Sequence, residues 1–332
     1  MGKGYMGTNI KTDNIIQPYF VIGGKNRKEK IRSFPGQYRF SVDTLINDIG
    51  KSRALGINKI LLFGIPDSKD KYGSTAYGKD NLVSLAVKRI KQRFPDIIVF
   101  TDVCLCAYTD HGHCGVLKRR ASGVGRRAAN TQYAARSTKY ELIDNKATLK
   151  ALAKMAVAHA EAGADYVAPS AMTKGQVGAI RKALDKNGYH GTGIMGYSAK
   201  FASNFYRPFR NAAGSSPKFG DRSSYQLDYA SAETALREIQ DDIEEGADIV
   251  MVKPAIAYLD IIYRAKQKFG FPLAAYNVSG EYALLKDGLR YTGSKEKKGM
   301  LFEILTAIKR AGADYIITYH AREIAKWLIT KN

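Results

Sequence analysis

This 332-residue chain is poor in several residue types, and each shortage narrows what it can be. It has three cysteines, one tryptophan and nine prolines. An odd set of three cysteines is no disulfide framework, which needs pairs. No apolar run approaches the roughly 20 residues that cross a bilayer as a helix. The opening Met1-Gly-Lys-Gly-Tyr-Met-Gly-Thr has no apolar stretch either, so we expect no signal peptide and a cytoplasmic protein. Acids are outnumbered by bases, 31 against 52, for a net charge of +21. Residues 116–140 contain no acid at all. Such an excess raises the question of nucleic acid. Within the basic stretch 118–140, however, the only aromatics are Tyr133 and Tyr140, and no binding motif is present. We therefore read it as a basic loop and do not expect RNA contact. Also missing is a Gly-x-Gly-x-x-Gly after the first apolar strand, which argues against a dinucleotide fold.

What is present is an alternation of strands and helices. The phrase Ala-Gly-Ala-Asp, or Glu-Gly-Ala-Asp, precedes three apolar runs, at 162–165, 245–248 and 311–314. The glycine suits a helix C-cap and the aspartate starts the turn into a buried strand. Eight strands are expected at 15–22, 59–63, 97–103, 166–169, 193–197, 249–253, 273–278 and 315–319. Helical patterns lie between them, for example at 81–93, 148–162, 232–245 and 299–311. Eight such units in this length predict a closed (β/α)8 barrel. A doubly wound open sheet is the alternative. We expect a short arm over residues 1–13 and a single barrel domain over 14–332.

In a barrel the chemistry sits at the C-terminal strand ends. Those ends carry Asp102, Ser170, Lys200, Lys253, Ser279 and Tyr319. All three cysteines fall in one window beside the third end, Cys104-Leu-Cys106, then Cys114 after Asp-His111-Gly-His113. On a strand, positions two apart share a face, so Cys104 and Cys106 are expected to point at one atom. Three thiolates suit a zinc ion with one open position, the catalytic pattern; His111 or His113 could close it. Lys253 ends the apolar Ile-Val-Met-Val-Lys-Pro, where desolvation lowers the pKa of an amine. A neutral amine can form a Schiff base with a ketone. Lys200 is expected at the neighbouring strand end, where each ammonium would depress the other. The long segment 201–226 reads as an active-site lid whose arginines can clamp a carboxylate.

The motifs Thr-Asp-Val-Cys-Leu-Cys…Asp-His-Gly-His-Cys-Gly, Tyr-Ser-Ala-Lys-Phe-Ala-Ser…Pro-Phe-Arg, Asp-Arg…Ser-Tyr-Gln, Met-Val-Lys-Pro and Val-Ser-Gly-Glu-Tyr together resemble the porphobilinogen synthase (5-aminolaevulinate dehydratase) family. The match runs from about Ile15 to near the C-terminus. The resemblance implies a (β/α)8 barrel and a hydro-lyase that joins two 5-aminolaevulinate molecules into porphobilinogen, an early step of tetrapyrrole and haem synthesis. By position, Lys200 and Lys253 resemble the Schiff-base lysines and Asp102 a polar group beside them. Cys104, Cys106 and Cys114 resemble zinc ligands. Arg210, Arg222 and Gln226 resemble one carboxylate clamp, and Ser279 and Tyr319 the other. Glu238 matches an allosteric magnesium ligand. A homo-octamer built from dimers is implied. The chain departs from the family in four places. Ser170-Ala-Met-Thr-Lys174-Gly175 lacks both acids of a Ser-Asp-x-x-Asp-Gly loop. Asn277 replaces a glutamine, residues 118–140 look like an insertion, and the arm is short. Two other readings are a Schiff-base aldolase on the same barrel and an RNA-binding protein with a structural zinc.

Overall fold

The structure is a computed structural model that describes residues 8–78, 80–118 and 143–329. The predicted basic insertion lies outside the described residues, apart from Lys118 at its edge. Ten strands occur among the described residues: β1 (Ile15–Ile22), β2 (Lys28–Lys30), β3 (Tyr38–Phe40), β4 (Lys59–Ile65), β5 (Ile98–Val103), β6 (Tyr166–Pro169), β7 (Gly193–Lys200), β8 (Ile249–Lys253), β9 (Leu273–Asn277) and β10 (Tyr315–Thr318). Eight of them, β1 and β4 to β10, pair in parallel in chain order, and β10 returns to β1 through Ile15↔Ile316 and Ile16↔Ile317. The sheet is therefore a closed (β/α)8 barrel, and the open-sheet alternative is excluded. The strands are apolar on both faces because one face lines the interior and the other meets the helices. Phe20, Phe100, Met195, Tyr197, Met251 and Tyr276 fill the interior.

The ribbon β2–β3 was not anticipated. It is antiparallel, and β3 joins β1 at Phe20↔Arg39 and Val21↔Phe40. It occupies the edge of β1 that β10 does not reach, which removes unpaired backbone there. Ile10 is buried, and the side chain of Asn14 donates to the carbonyl of Asp314 at 3.1 Å, so the end of the predicted arm is already tied to the barrel.

The repeated phrase does more than turn the chain. Gly163, Gly246 and Gly312 take φ of 98°, 97° and 127°, where only glycine is unstrained. The aspartate after each then accepts from the first part of the preceding strand: Asp165 from Val99 N at 2.7 Å, Asp248 from Ile194 N at 2.7 Å and Asp314 from Leu273 N at 2.9 Å. Each copy thus pins the register of one strand pair at the end opposite the chemistry.

One buried group carries a stability prediction. His159, on the helix Asn145–Glu161, is fully buried, and neither ring nitrogen has a partner among the described residues. Burial lowers its pKa to about 3. The unfolded chain protonates this ring below about pH 6.5, while the folded chain resists. Stability is therefore lost as pH falls from about 6.5 toward the folded value, by up to ~1.4 kcal/mol per pH unit. His159→Leu should flatten that slope and add about 1–3 kcal/mol at neutral pH by removing an unsatisfied donor. Urea unfolding at pH 5 and 7.5 measures both; an unchanged slope in the variant contradicts the assignment.

Candidate active site

Lys200 is the last residue of β7, three residues beyond the predicted strand end, and Lys253 is the last of β8. The two are direct partners in the sheet register. Adjacent strands lie about 5 Å apart, so both amines rise from one edge of the barrel mouth. The register shifts between Gly196 and Ala199. Such a bulge re-aims the side chains that follow it, here Lys200. Both lysines are 5% exposed. The Lys200 ammonium donates to the carbonyl of Ser170. The Lys253 nitrogen lies 4.2 Å from the ring centre of Tyr276, 4.9 Å from Tyr197, 5.2 Å from Phe209 and 5.4 Å from Tyr206. Burial holds its pKa well below the ordinary lysine value, and the charge of Lys200 lowers it further, with Asp102 opposing. Asp102 sits near the end of β5. Burial and the sulfur of Cys106 push its carboxyl up to about 6, and one of its oxygens has no partner among the described residues.

The cysteines converge, though not as strand geometry predicts. Strand β5 ends at Val103, so Cys104 and Cys106 lie on the turn beyond it. The turn brings the sulfurs together, and the Cys106 amide donates to the Cys104 sulfur at 3.5 Å. The ligand atoms of Cys104, Cys106 and Cys114 all lie within 4.8 Å of one another, and all three residues are buried. Tetrahedral zinc at about 2.3 Å from each sulfur places sulfurs roughly 3.8 Å apart, so the trio fits that ion. Hydrogen bonds from the Cys104 and Cys106 thiols hold Cys114 well below the usual thiol range, with Arg222 and Lys200 adding to the effect, while Cys104 is pushed up. One thiolate therefore forms readily and a second at greater cost, as expected for a cluster completed by a cation.

The histidines are engaged elsewhere. The His113 ring pairs with the Tyr225 hydroxyl at 3.2 Å and the Phe219 carbonyl at 3.0 Å. His111 accepts from the His113 amide at 3.1 Å and reaches the Lys71 carbonyl at 3.3 Å. The His113 ring anchors the segment after β7, and the His111 ring ties its own loop to the chain at Lys71. Gly112, at φ 75°, allows that segment to cross the turn, since a Cβ there would lie 2.3 Å from the Ser216 carbonyl.

That segment, predicted as a lid, holds a 3-10 turn, Asn204–Tyr206, and a short helix, Arg207–Ala212. Its base is closed by a bridge between Phe201 and Leu227. Arg222 is 4% exposed and donates to the carbonyls of Gly112 and Ser215. The Nε atoms of Arg210 and Arg222 and both amide atoms of Gln226 are buried without partners among the described residues. Three donor side chains left unsatisfied in one segment suit an anion that satisfies them.

Ser279 and Tyr319 also reach the mouth, but their hydroxyls are in use. The Ser279 oxygen accepts from Phe209 N at 3.0 Å, and the Tyr319 hydroxyl pairs with that of Tyr276 at 2.9 Å. Glu238 lies away from this centre, on the helix Ala232–Glu244, half-buried near Asp241, Glu245 and Lys174. Among the described residues the cysteine trio is the only group of three or more ligand side chains close enough to share a metal. Glu238 belongs to no such group, and magnesium, which keeps several waters and takes one or two carboxylates, does not need one. Sequence reasoning placed Tyr197 at a strand end but gave no role to Tyr206, Phe209 and Tyr276, which complete the ring cage of Lys253.

A family model described as Delta-aminolevulinic acid dehydratase matches residues 3–327. The chain belongs to the delta-aminolevulinic acid dehydratase family. A family member from Methanothermus sociabilis is 51% identical over 321 residues, 96% of this chain and 92% of the relative. The one from Bacillus subtilis is 46% identical, covering 97% and 92%. The crystal structure of the Toxoplasma gondii delta-aminolevulinic acid dehydratase, in complex with the reaction product porphobilinogen, superposes with a TM-score of 0.89 at 37% identity and covers 99% of this chain and 88% of that one. Membership of this dehydratase family displaces the aldolase and RNA-binding readings. No helix among the described residues is long and apolar enough to cross a membrane.

Proposed function

We propose that this chain is a porphobilinogen synthase that condenses two molecules of 5-aminolaevulinate with loss of two waters. The observation that carries the reading is the register pairing of Lys200 with Lys253 beside the buried cysteine trio. An aldolase needs one such lysine; joining two ketones through imines uses both.

Each substrate ketone condenses with one lysine and releases one water. Lys253, kept neutral by burial and by Lys200, attacks readily. Loss of a proton from the carbon beside its imine gives an enamine, and that carbon attacks the imine carbon held by Lys200. Lys200 then leaves as the amine. The amino group of the substrate held at Lys200 displaces Lys253 and closes the ring. Asp102, beside both lysines, is placed to hold the proton in transit. Arg210, Arg222 and Gln226 supply the unsatisfied donors for one carboxylate. Tyr319 and Ser279 hold the other after exchanging their present partners. Cys104, Cys106 and Cys114 would hold zinc, which supplies Lewis acidity toward the substrate nearest Lys200. We extend to this chain a homo-octamer built from dimers and a cytoplasmic setting, both from the family resemblance. Sedimentation of the full chain tests the first.

With 5-aminolaevulinate as sole substrate, the protein should yield a product that gives the pyrrole colour reaction. Absence of that product overturns the reading.

A further inference from the structure

Glu281 belongs to the Val-Ser-Gly-Glu-Tyr motif, yet the mechanism above gives it no role. It is 3% exposed and sits in the first turn of the helix Ser279–Gly288. One carboxylate oxygen accepts from the amide of Ile256 at 2.7 Å. The other accepts from the amide of Val278 at 2.8 Å and the side chain of Asn277 at 3.2 Å. Asn277 in turn accepts from the hydroxyl of Thr318 at 2.9 Å. These partners stand at three adjacent strand ends. Ile256 lies three residues after Lys253 on β8, Val278 directly precedes Ser279 after β9, and Thr318 directly precedes Tyr319 on β10.

We infer that Glu281 is a positioning residue that fixes the strand ends bearing Lys253, Ser279 and Tyr319 as one unit. The inference rests on the porphobilinogen synthase reading, and takes the carboxylate held by Ser279 and Tyr319 to be that of the substrate bound at Lys253. A carboxylate is required by the donor count. Every group bonded to Glu281 is an N–H donor, and none is a cation, so two acceptor oxygens are needed; the amides offset only part of the burial, which pushes the carboxyl up to about 7. Glutamine offers one oxygen and one NH2, and the NH2 must face donors on one side. Glu281→Gln therefore releases either the Lys253 turn or the Val278–Asn277 side. Displacement of a reacting group by about 1 Å can cost on the order of 100-fold in rate.

The test uses the full chain with its zinc. Wild type and Glu281→Gln are incubated with 5-aminolaevulinate, reduced with borohydride and digested, and the modified lysines are read by mass spectrometry. In Glu281→Gln the fraction trapped at Lys253 should fall at least tenfold, and kcat by about 100-fold, with trapping at Lys200 and zinc content unchanged. Glu281→Asp, which keeps both oxygens, should recover part of the loss. Wild-type trapping at Lys253, or an equal fall at both lysines, overturns the inference. If wild type itself traps nothing and makes no pyrrole, the proposed function fails instead. Thr318→Val decides the matter if Glu281→Gln does not fold. It cuts the link from Asn277 to β10, together with the bond Thr318 accepts from the His320 amide, and leaves the Glu281 bonds to Ile256 and Val278 in place. It should therefore raise KM several-fold and leave Lys253 trapping intact; an unchanged KM refutes the unit.

Discussion

Lys253→Ala abolishes porphobilinogen formation and leaves the fold intact. The loss should be on the order of 10⁴-fold or more in kcat, the scale seen when a covalent nucleophile is removed. Lys200 pairs with Lys253 across one strand step but cannot replace it, because in the proposed mechanism it holds the second substrate. Stability should change little. The amine is held among four aromatic rings beside a like charge. Its removal relieves desolvation and repulsion, which offsets the space left behind. Lys200→Ala should look similar in turnover but different in trapping, since Lys253 can still form its imine with the first substrate. Borohydride reduction of the two variants separates the roles. Appreciable turnover by Lys253→Ala, or trapping at Lys200 alone in the wild type, refutes the assignment.

How legible this molecule is from its residues depends on where the free energy comes from. The barrel was readable because parallel strands buried on both faces must be apolar without interruption, as in Ile249–Lys253. The ribbon β2–β3 was not, because Lys28–Lys30 is Lys-Glu-Lys, a charged edge with no hydrophobic pattern. The lysines were readable because charge at the end of an apolar run is conspicuous. The cysteines were readable by crowding alone. The strand argument for their shared direction failed, since β5 stops at Val103 and the turn does the converging. Whether a histidine closes the trio was open in sequence, because spacing cannot show that His113 bonds to Tyr225 and Phe219, more than a hundred residues later. Glu281 was visible as a letter in a motif and mute as to role, because its partners include backbone amides and backbone amides leave no mark on sequence.

Removing one sulfur of the trio tests the remaining half of the centre. Cys114→Ser should lose tightly bound zinc, measured as metal per chain after dialysis against a chelator, and should lose at least 100-fold in kcat. Cys114 is the informative choice because it sits farthest in sequence from β5 and its thiol is held below the usual range by its neighbours. Its loss removes a ligand without touching the strand that bears Asp102. Serine preserves the volume but is a far weaker zinc ligand, and two remaining thiolates do not close a structural or catalytic site. Imine trapping at Lys253 should survive, because burial and Lys200, neither of which depends on Cys114, are the main causes that lower its pKa. The pattern of zinc lost, turnover lost and Lys253 imine retained would place the metal after the first imine, with the second substrate. Loss of the Lys253 imine as well would mean that the trio organises the whole mouth. Retention of both zinc and activity would show that the cysteines gather for packing and that the metal, if any, is held elsewhere.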